Sequence, residues 1–270
     1  MTLAKSLQVA TLTDPGRVRD HNEDCIESRP DIGLYVLADG MGGYNAGEVA
    51  SGIAVELIRT ELKKALTEKK PGDLNGSGVE TLLAEHAERA NAAIYQAAQS
   101  QPQYSGMGTT LVVAMWHDNK MSVGHIGDSR LYRLRGENLE QVTRDHSLLQ
   151  EQIDSGMITP EQAKMSQNKN LVTRALGIDP TVDAEVHVYE TQKDDIYLLC
   201  SDGLSDMVED DEIRLTLDTL RTNPNLTVQQ LIQSANDHGG RDNISAVLIR
   251  IAEPYGVPRG WLARLKALFA

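Results

Sequence analysis

Apolar positions change their spacing several times along the chain, and each spacing predicts a type of element. Short apolar runs bounded by turn residues predict strands at 7–12 and 33–38. From Ala46 to Leu66 apolar residues recur every three or four positions, which predicts a helix, and a second stripe predicts a helix over about 79–99. Pro71 and three glycines predict a loop between these two helices.

The second half of the chain contains mostly short strand-like segments. TTLVVAMW, MSVGHIG, SRLYRLR and LEQV follow one another with small gaps, which predicts an antiparallel meander. A polar segment, 145–178, contains two short helical patterns, and strand patterns return in AEVHVYE, DIYLLC and ISAVLIRI, with a helix at 227–237. Because strands and helices are grouped and do not alternate strictly, we expect a layered α+β domain, not a doubly wound parallel sheet.

Composition narrows the functional classes. The chain has 270 residues, 40% of them hydrophobic, which is enough for one large domain or two small ones. Its net charge of −13 argues against a nucleic-acid or anionic-membrane binder and suits a protein that gathers cations. Cys25 and Cys200 form no CxxC pair, and no apolar stretch has the length of a signal peptide or a transmembrane segment. We therefore expect a cytoplasmic protein.

Four aspartates stand at the rims of apolar strands, each beside a glycine or a tight polar turn: Asp39, Asp128, Asp202 and Asp242. Buried carboxylates are costly unless they pair with cations or bind metal, and Mg²⁺ and Mn²⁺ prefer such oxygen ligands. For each Asp–Gly pair taken alone, a solvated turn is the more common explanation. The recurrence of the same setting favours a metal site.

A polar cluster at 19–24, RDHNED, adds further candidates. Arg19 supplies a planar guanidinium suited to a phosphoryl group, and Glu23 and Asp24 are suited to hold metal-bound waters. The histidines form no HxxxH or HxH pair, so we expect His125 and His146 to make structural hydrogen bonds rather than bind a metal.

Eight segments in this order carry a family resemblance: VRDHNED (18–24), ADGMGG (38–43), GMGTTLV (106–112), HIGDSRLYRLR (125–135), TRDHS (143–147), RALG (174–177), LCSDGLSD (199–206) and GGRDNIS (239–245). Together they resemble the metal-dependent serine/threonine protein phosphatases of type 2C, the PPM family, in their compact bacterial form. The resemblance covers about residues 7–251.

The resemblance implies an architecture. It implies a four-layer α/β/β/α sandwich, two antiparallel sheets flanked by helices, with a binuclear metal cleft at one end. The catalytic domain would span 1–252 and include a flap at about 145–178. We expect residues 253–270 to form a short basic amphipathic tail that either docks on the domain or frays, or contacts a partner or a membrane surface.

The resemblance also implies a set of metal ligands. Asp39 would bridge two Mn²⁺ or Mg²⁺ ions, and the carbonyl of Gly40 would bind one of them. Asp202 and Asp242 would bind the other ion. Asp128, together with Asp202, matches the additional third-metal site of bacterial members.

The implied activity is hydrolysis of phosphoserine and phosphothreonine in proteins by a hydroxide that bridges the two ions. Arg19 would hold the substrate phosphate, and Glu23 and Asp24 would contact metal-bound water or other ligands. The partners would be phosphorylated proteins and a bacterial Ser/Thr kinase of the eukaryotic-like type. The alternative is a catalytically weak module that binds phosphoproteins.

The sequence departs from the family pattern in two places. Eukaryotic members place a histidine, a candidate general acid, after the Asp–Gly pair, where this chain has Met41. In the flap many bacterial members have a His–Pro pair, where this chain has Ser166 and Gln167. Neither departure removes a metal ligand.

Overall fold

The structure is a computed structural model that describes residues 3–43, 46–68, 76–164, 166 and 171–256. The strands are β1 (Leu7–Asp14), β2 (Asp24–Arg29), β3 (Leu34–Met41), β4 (Gly108–Thr109), β5 (Leu111–His117), β6 (Lys120–Ile126), β7 (Arg130–Arg135), β8 (Asn138–Gln141), β9 (Glu185–Glu190), β10 (Ile196–Cys200) and β11 (Ile244–Ile251). The helices are α1 (Leu3–Ser6), α2 (Ala46–Glu68), α3 (Gly76–Ser100), α4 (Leu148–Asp154), α5 (Pro160–Lys164), α6 (Asp202–Ser205), α7 (Asp210–Thr219) and α8 (Pro224–Asp237).

The strands form two antiparallel sheets. The first has the order β1-β11-β10-β7-β8, and the second has the order β2-β3-β5-β6-β9, with β4 paired to β3. The central strands β3, β5, β10 and β11 are buried along nearly their whole length and read as continuous apolar runs. Such runs are expected for strands that are covered on both faces.

Three apolar clusters define four layers. One cluster joins helices α2 and α3 to the outer face of the second sheet, and another joins α7 and α8 to the outer face of the first. The third lies between the sheets, where Trp116 makes edge-to-face contacts with Tyr35 and Tyr197 at 5.1 and 5.3 Å between ring centroids. The expected α/β/β/α sandwich is therefore confirmed.

Among the described residues, no helix is both long and apolar enough to cross a membrane. The chain is described as far as Gly256, so most of the tail predicted at 253–270 lies outside the described residues. The same holds for Gln167 in the flap.

Candidate metal centre

The pairing of β2 with β3 creates the first part of the centre. Asp24 stands directly opposite Asp39 in the register of these strands. Burial, followed by the charge of Asp24, raises the pKa of Asp39 well above its usual range, and burial raises the pKa of Asp24 to about 6. The backbone of Asp39 is fixed by Thr110, which donates its N–H to the Asp39 carbonyl at 2.8 Å and accepts the Asp39 N–H at 3.0 Å.

Two further aspartates approach from the other sheet and from the β6–β7 turn. Asp202 is the first residue of α6 and is separated from the end of β10 by Ser201, and Asp128 follows the end of β6. Burial, then the charge of Asp128, raises the pKa of Asp202 well above its usual range. Burial, then the charge of Asp145, raises the pKa of Asp128 to about 6. The two sheets thus bring together carboxylates that repel one another.

Asp242 and Arg19 complete the group. Arg19 Nη2 donates to Asp242 Oδ2 at 2.6 Å, and the two side chains are 48% and 28% exposed. An ion pair this open to water contributes little stability. The guanidinium is therefore free to turn toward an incoming anion.

The donor set fits a hard divalent cation. Oδ1 of Asp24 and Oδ1 of Asp202 are buried and have no hydrogen-bond partner among the described residues. Buried oxygens that are left unpaired cost about 1–3 kcal/mol each, and more when they are charged. A cation removes this cost and the mutual repulsion, and carboxylate oxygens are the ligands that Mg²⁺ and Mn²⁺ prefer.

Gly40 corrects one detail of the sequence prediction. A strand over 33–38 was predicted, but β3 continues to Met41, so that Asp39 and Gly40 both lie within it. Glycine is required here because a Cβ would stand 2.2 Å from the carbonyl oxygen of Gly47 at the start of α2. The absent side chain therefore lets α2 approach the metal-centre strand.

Two residues that the sequence interpretation did not single out hold the centre together. Asn243 accepts the N–H of Glu23 at 2.8 Å and donates to the carbonyls of Pro15 and His21 at 3.0 and 2.8 Å. Ser201 donates to Asp24 Oδ2 at 2.8 Å. Each lies next to a candidate ligand, Ser201 in the motif CSD and Asn243 in the motif RDN. This adjacency is the sequence feature from which they could have been identified.

Glu23 takes part in the centre through the hydrogen bonds of its backbone. Its carbonyl accepts the N–H of Gly40 at 3.2 Å and the hydroxyl of Ser51 at 2.6 Å. The main observed contribution of Glu23 is thus to fasten the 19–24 segment to β3 and α2.

A second cluster lies beside the β6–β7 turn, where His125, His146 and Glu185 place one ligand atom each within 4.8 Å of the others. The two rings are stacked at 4.7 Å with 19° between their planes, so no single ion lies in both ring planes. His146 Nδ1 accepts the N–H of Gly127 at 3.1 Å, which leaves Nε2 to carry the proton toward Glu185 at 3.1 Å. The geometry favours a hydrogen-bond relay over a metal site.

Substitution of His146 tests this relay. We expect His146→Ala to lower the free energy of unfolding by about 1–3 kcal/mol, because it leaves the buried N–H of Gly127 without an acceptor. His146→Asn should retain much of the stability, since its amide oxygen replaces Nδ1. Urea denaturation of both variants measures the difference, and equal losses would contradict the assignment.

A family model described as Protein phosphatase 2C matches residues 18–248. The chain belongs to the protein phosphatase 2C family. This finding confirms the resemblance that the eight sequence segments carried, and the matched range contains every candidate ligand named above.

Relatives in this family support the same conclusion. The serine/threonine phosphatase stp of Listeria monocytogenes is 38% identical over 240 residues, 88% of this chain and 93% of the relative. Protein phosphatase PhpP of Streptococcus pneumoniae is 36% identical over 252 residues, 92% and 98% of the two chains. The catalytic domain of the phosphatase PstP, solved with two manganese ions, has a TM-score of 0.80 at 36% identity, covering 92% and 99% of the two chains.

Proposed function

We propose that this protein is a Mn²⁺- or Mg²⁺-dependent phosphatase that hydrolyses phosphoserine and phosphothreonine in proteins. The observation that carries this function is the convergence of five aspartates at one end of the sandwich, with two of their buried oxygens unpaired. The phosphatase relatives and the two manganese ions of the PstP structure support it over a catalytically weak binding module.

The ligand roles proposed here follow the observed positions. Asp39, central among the repelling carboxylates, is suited to bridge two ions, with the Gly40 carbonyl on one of them. Asp202 and Asp242 would hold the second ion, and Asp128 with Asp202 an additional third. When bound, such ions lower the pKa of a coordinated water and offset the charge of a phosphate.

The remaining residues of the centre are assigned to binding the substrate phosphate and to orienting water. Arg19 is exposed beside Asp242, so its guanidinium can bind the phosphate oxygens in a bidentate manner. Asp24, opposite Asp39 and tied to Ser201, is suited to orient water at the centre. Met41 ends β3 and carries no transferable proton, so the proton for the leaving alkoxide comes from water or from another group of the site.

The proposed physiological partner is an enzyme that catalyses the opposite reaction. A protein that removes phosphate from serine and threonine acts against a kinase that adds it, and we infer a bacterial Ser/Thr kinase of the eukaryotic-like type. The relatives from Listeria and Streptococcus are named as phosphatases, which supports the reaction. A cytoplasmic location is part of the same proposal.

A phosphothreonine peptide tests the function directly. We expect phosphate release that requires added Mn²⁺ and stops when EDTA is present in excess, because the carboxylates alone can neither activate a water molecule as the nucleophile nor offset the negative charge of the phosphate. The measurement is inorganic phosphate released over time, with a phosphotyrosine peptide of the same sequence as comparison. Turnover that persists in EDTA would contradict the proposal.

A further inference from the structure

A cleft of about 280 Å³ begins at Asp128 and Asp202 and extends from the candidate metal centre. We call it the side cleft. Part of its lining is apolar and comes from α4 and α5: Leu149, Ile153, Pro160 and Ala163. Another part is acidic and comes from the segment between α6 and α7 and from the first residue of α7: Asp206, Glu209 and Asp210.

The lining has a net negative charge. Arg130 is the one cationic residue among the described residues that line the side cleft, and it donates to both oxygens of Asp145 at 3.0 and 2.7 Å. Its charge is therefore matched by Asp145. Asp210 accepts a hydrogen bond from the neutral hydroxyl of Tyr132 at 3.0 Å, which leaves the charge of Asp210 in place.

Asp210 can also be reached from the side that faces away from the metal centre. It lines an adjoining cavity of about 250 Å³, in which Arg214 lies 3.9 Å from Asp211. Asp210 is exposed to solvent at the first turn of α7. It is thus within reach of a side chain that enters from outside.

A ligand that suits both parts of the lining has an apolar stem and a cationic head. Lysine and arginine side chains have this form, since their methylene groups cover apolar surface while the charged end reaches an acid. The side cleft shares Asp128 and Asp202 with the metal centre, so its occupant lies near the phosphate that is hydrolysed.

We propose that the side cleft binds a lysine or arginine side chain of the phosphoprotein, a few residues from the phosphorylated serine or threonine. The protein then prefers phosphorylation sites with a basic residue nearby. This inference rests on the proposed function, because it assigns the substrate class of the same centre.

Phosphothreonine peptides test the preference. A neutral parent peptide receives one arginine, or one citrulline, at each position within three residues of the phosphothreonine. Citrulline has the shape of arginine without its charge. With saturating Mn²⁺, we expect kcat/KM for arginine to exceed that for citrulline about two- to fivefold at one or more positions, the range of a partly exposed ion pair.

Asp210→Asn locates the effect. This substitution removes the charge but keeps an oxygen for Tyr132, and it should bring the arginine-to-citrulline ratio close to one. Asp211→Asn is the matched control, because it makes the same change in the same helical turn but outside the side cleft. The control should keep the ratio of the unmodified protein.

The outcomes separate this inference from the proposed function. If the parent peptide is hydrolysed with Mn²⁺ but arginine and citrulline react equally at every position, the side-cleft assignment is overturned and the phosphatase function stands. Equal effects of Asp210→Asn and Asp211→Asn would also overturn the assignment, since they would reflect overall charge. If no peptide is hydrolysed, both proposals fail.

Discussion

Asp39→Asn is expected to reduce Mn²⁺-dependent hydrolysis of a phosphothreonine peptide by about 10³-fold or more, the equivalent of about 4 kcal/mol in the barrier. A neutral amide cannot replace the negative charge that would hold two cations. The fold should survive, because burial and neighbouring carboxylates already disfavour the charge of Asp39 in the metal-free protein. Metal-free Asp39→Asn should therefore be at least as resistant to urea as the unmodified chain.

Asp202→Asn should behave in the same way, since burial and the charge of Asp128 disfavour its ionised form. Asp31→Asn is the control for the chemical change, because Asp31 lies in an exposed pair with Arg29 away from the centre. Calorimetry with Mn²⁺ should show weaker binding for the two site variants only. Full turnover by either site variant would disprove the proposed ligand set.

Manganese is expected to stabilise the protein far more at about pH 8 than at about pH 5.5. Folding raises the pKa values of Asp24 and Asp128 to about 6 and raises those of Asp39 and Asp202 well above their usual range. For carboxyl groups shifted in this direction, the folded protein binds more protons than the unfolded one. The stability that these four groups contribute is therefore fully present below about pH 4, the pKa of an aspartate in the unfolded chain, and is lost as pH rises through their raised pKa values.

Bound Mn²⁺ offsets that loss, because it stabilises the ionised carboxylates of the folded state. The measurement compares the rise in Tm on adding Mn²⁺ at about pH 8 with the rise at about pH 5.5. Taking this difference cancels the opposite pH dependence of buried His125 and His146, whose pKa values are lowered chiefly by burial. A Tm rise that is the same at both pH values would argue against these carboxylates as the metal site.

The candidate ligand aspartates could be selected from the sequence because each stands beside an apolar strand and a turn residue. Strand β2 was not predicted, since DCIESR is polar and each of its residues is only partly buried. Its strand conformation depends on pairing with β3, a contact that no local pattern reveals. Yet this pairing is what places Asp24 opposite Asp39.

The reason for glycine at position 40 could likewise not be predicted from the local sequence. An Asp–Gly pair locally indicates a turn, but the constraint comes from the backbone of Gly47, which β3 meets only after α2 has docked. Asn243 is a similar case, since its partners Pro15 and His21 lie at the other end of the chain. Local spacing predicts which residues carry the chemistry, whereas long-range packing decides how they are held.

The pairing of β1 with β11 has a consequence for how the protein is made. Leu7 pairs with Ile251, and Arg19 meets Asp242 across 223 residues of sequence. During synthesis, β11 emerges from the ribosome after the other described strands. Until then β1 and β10 lack the strand that lies between them in the sheet. Folds dominated by such distant contacts form slowly, over milliseconds to seconds. A nascent chain therefore assembles the candidate metal centre only after β11 has been synthesised and has left the ribosome.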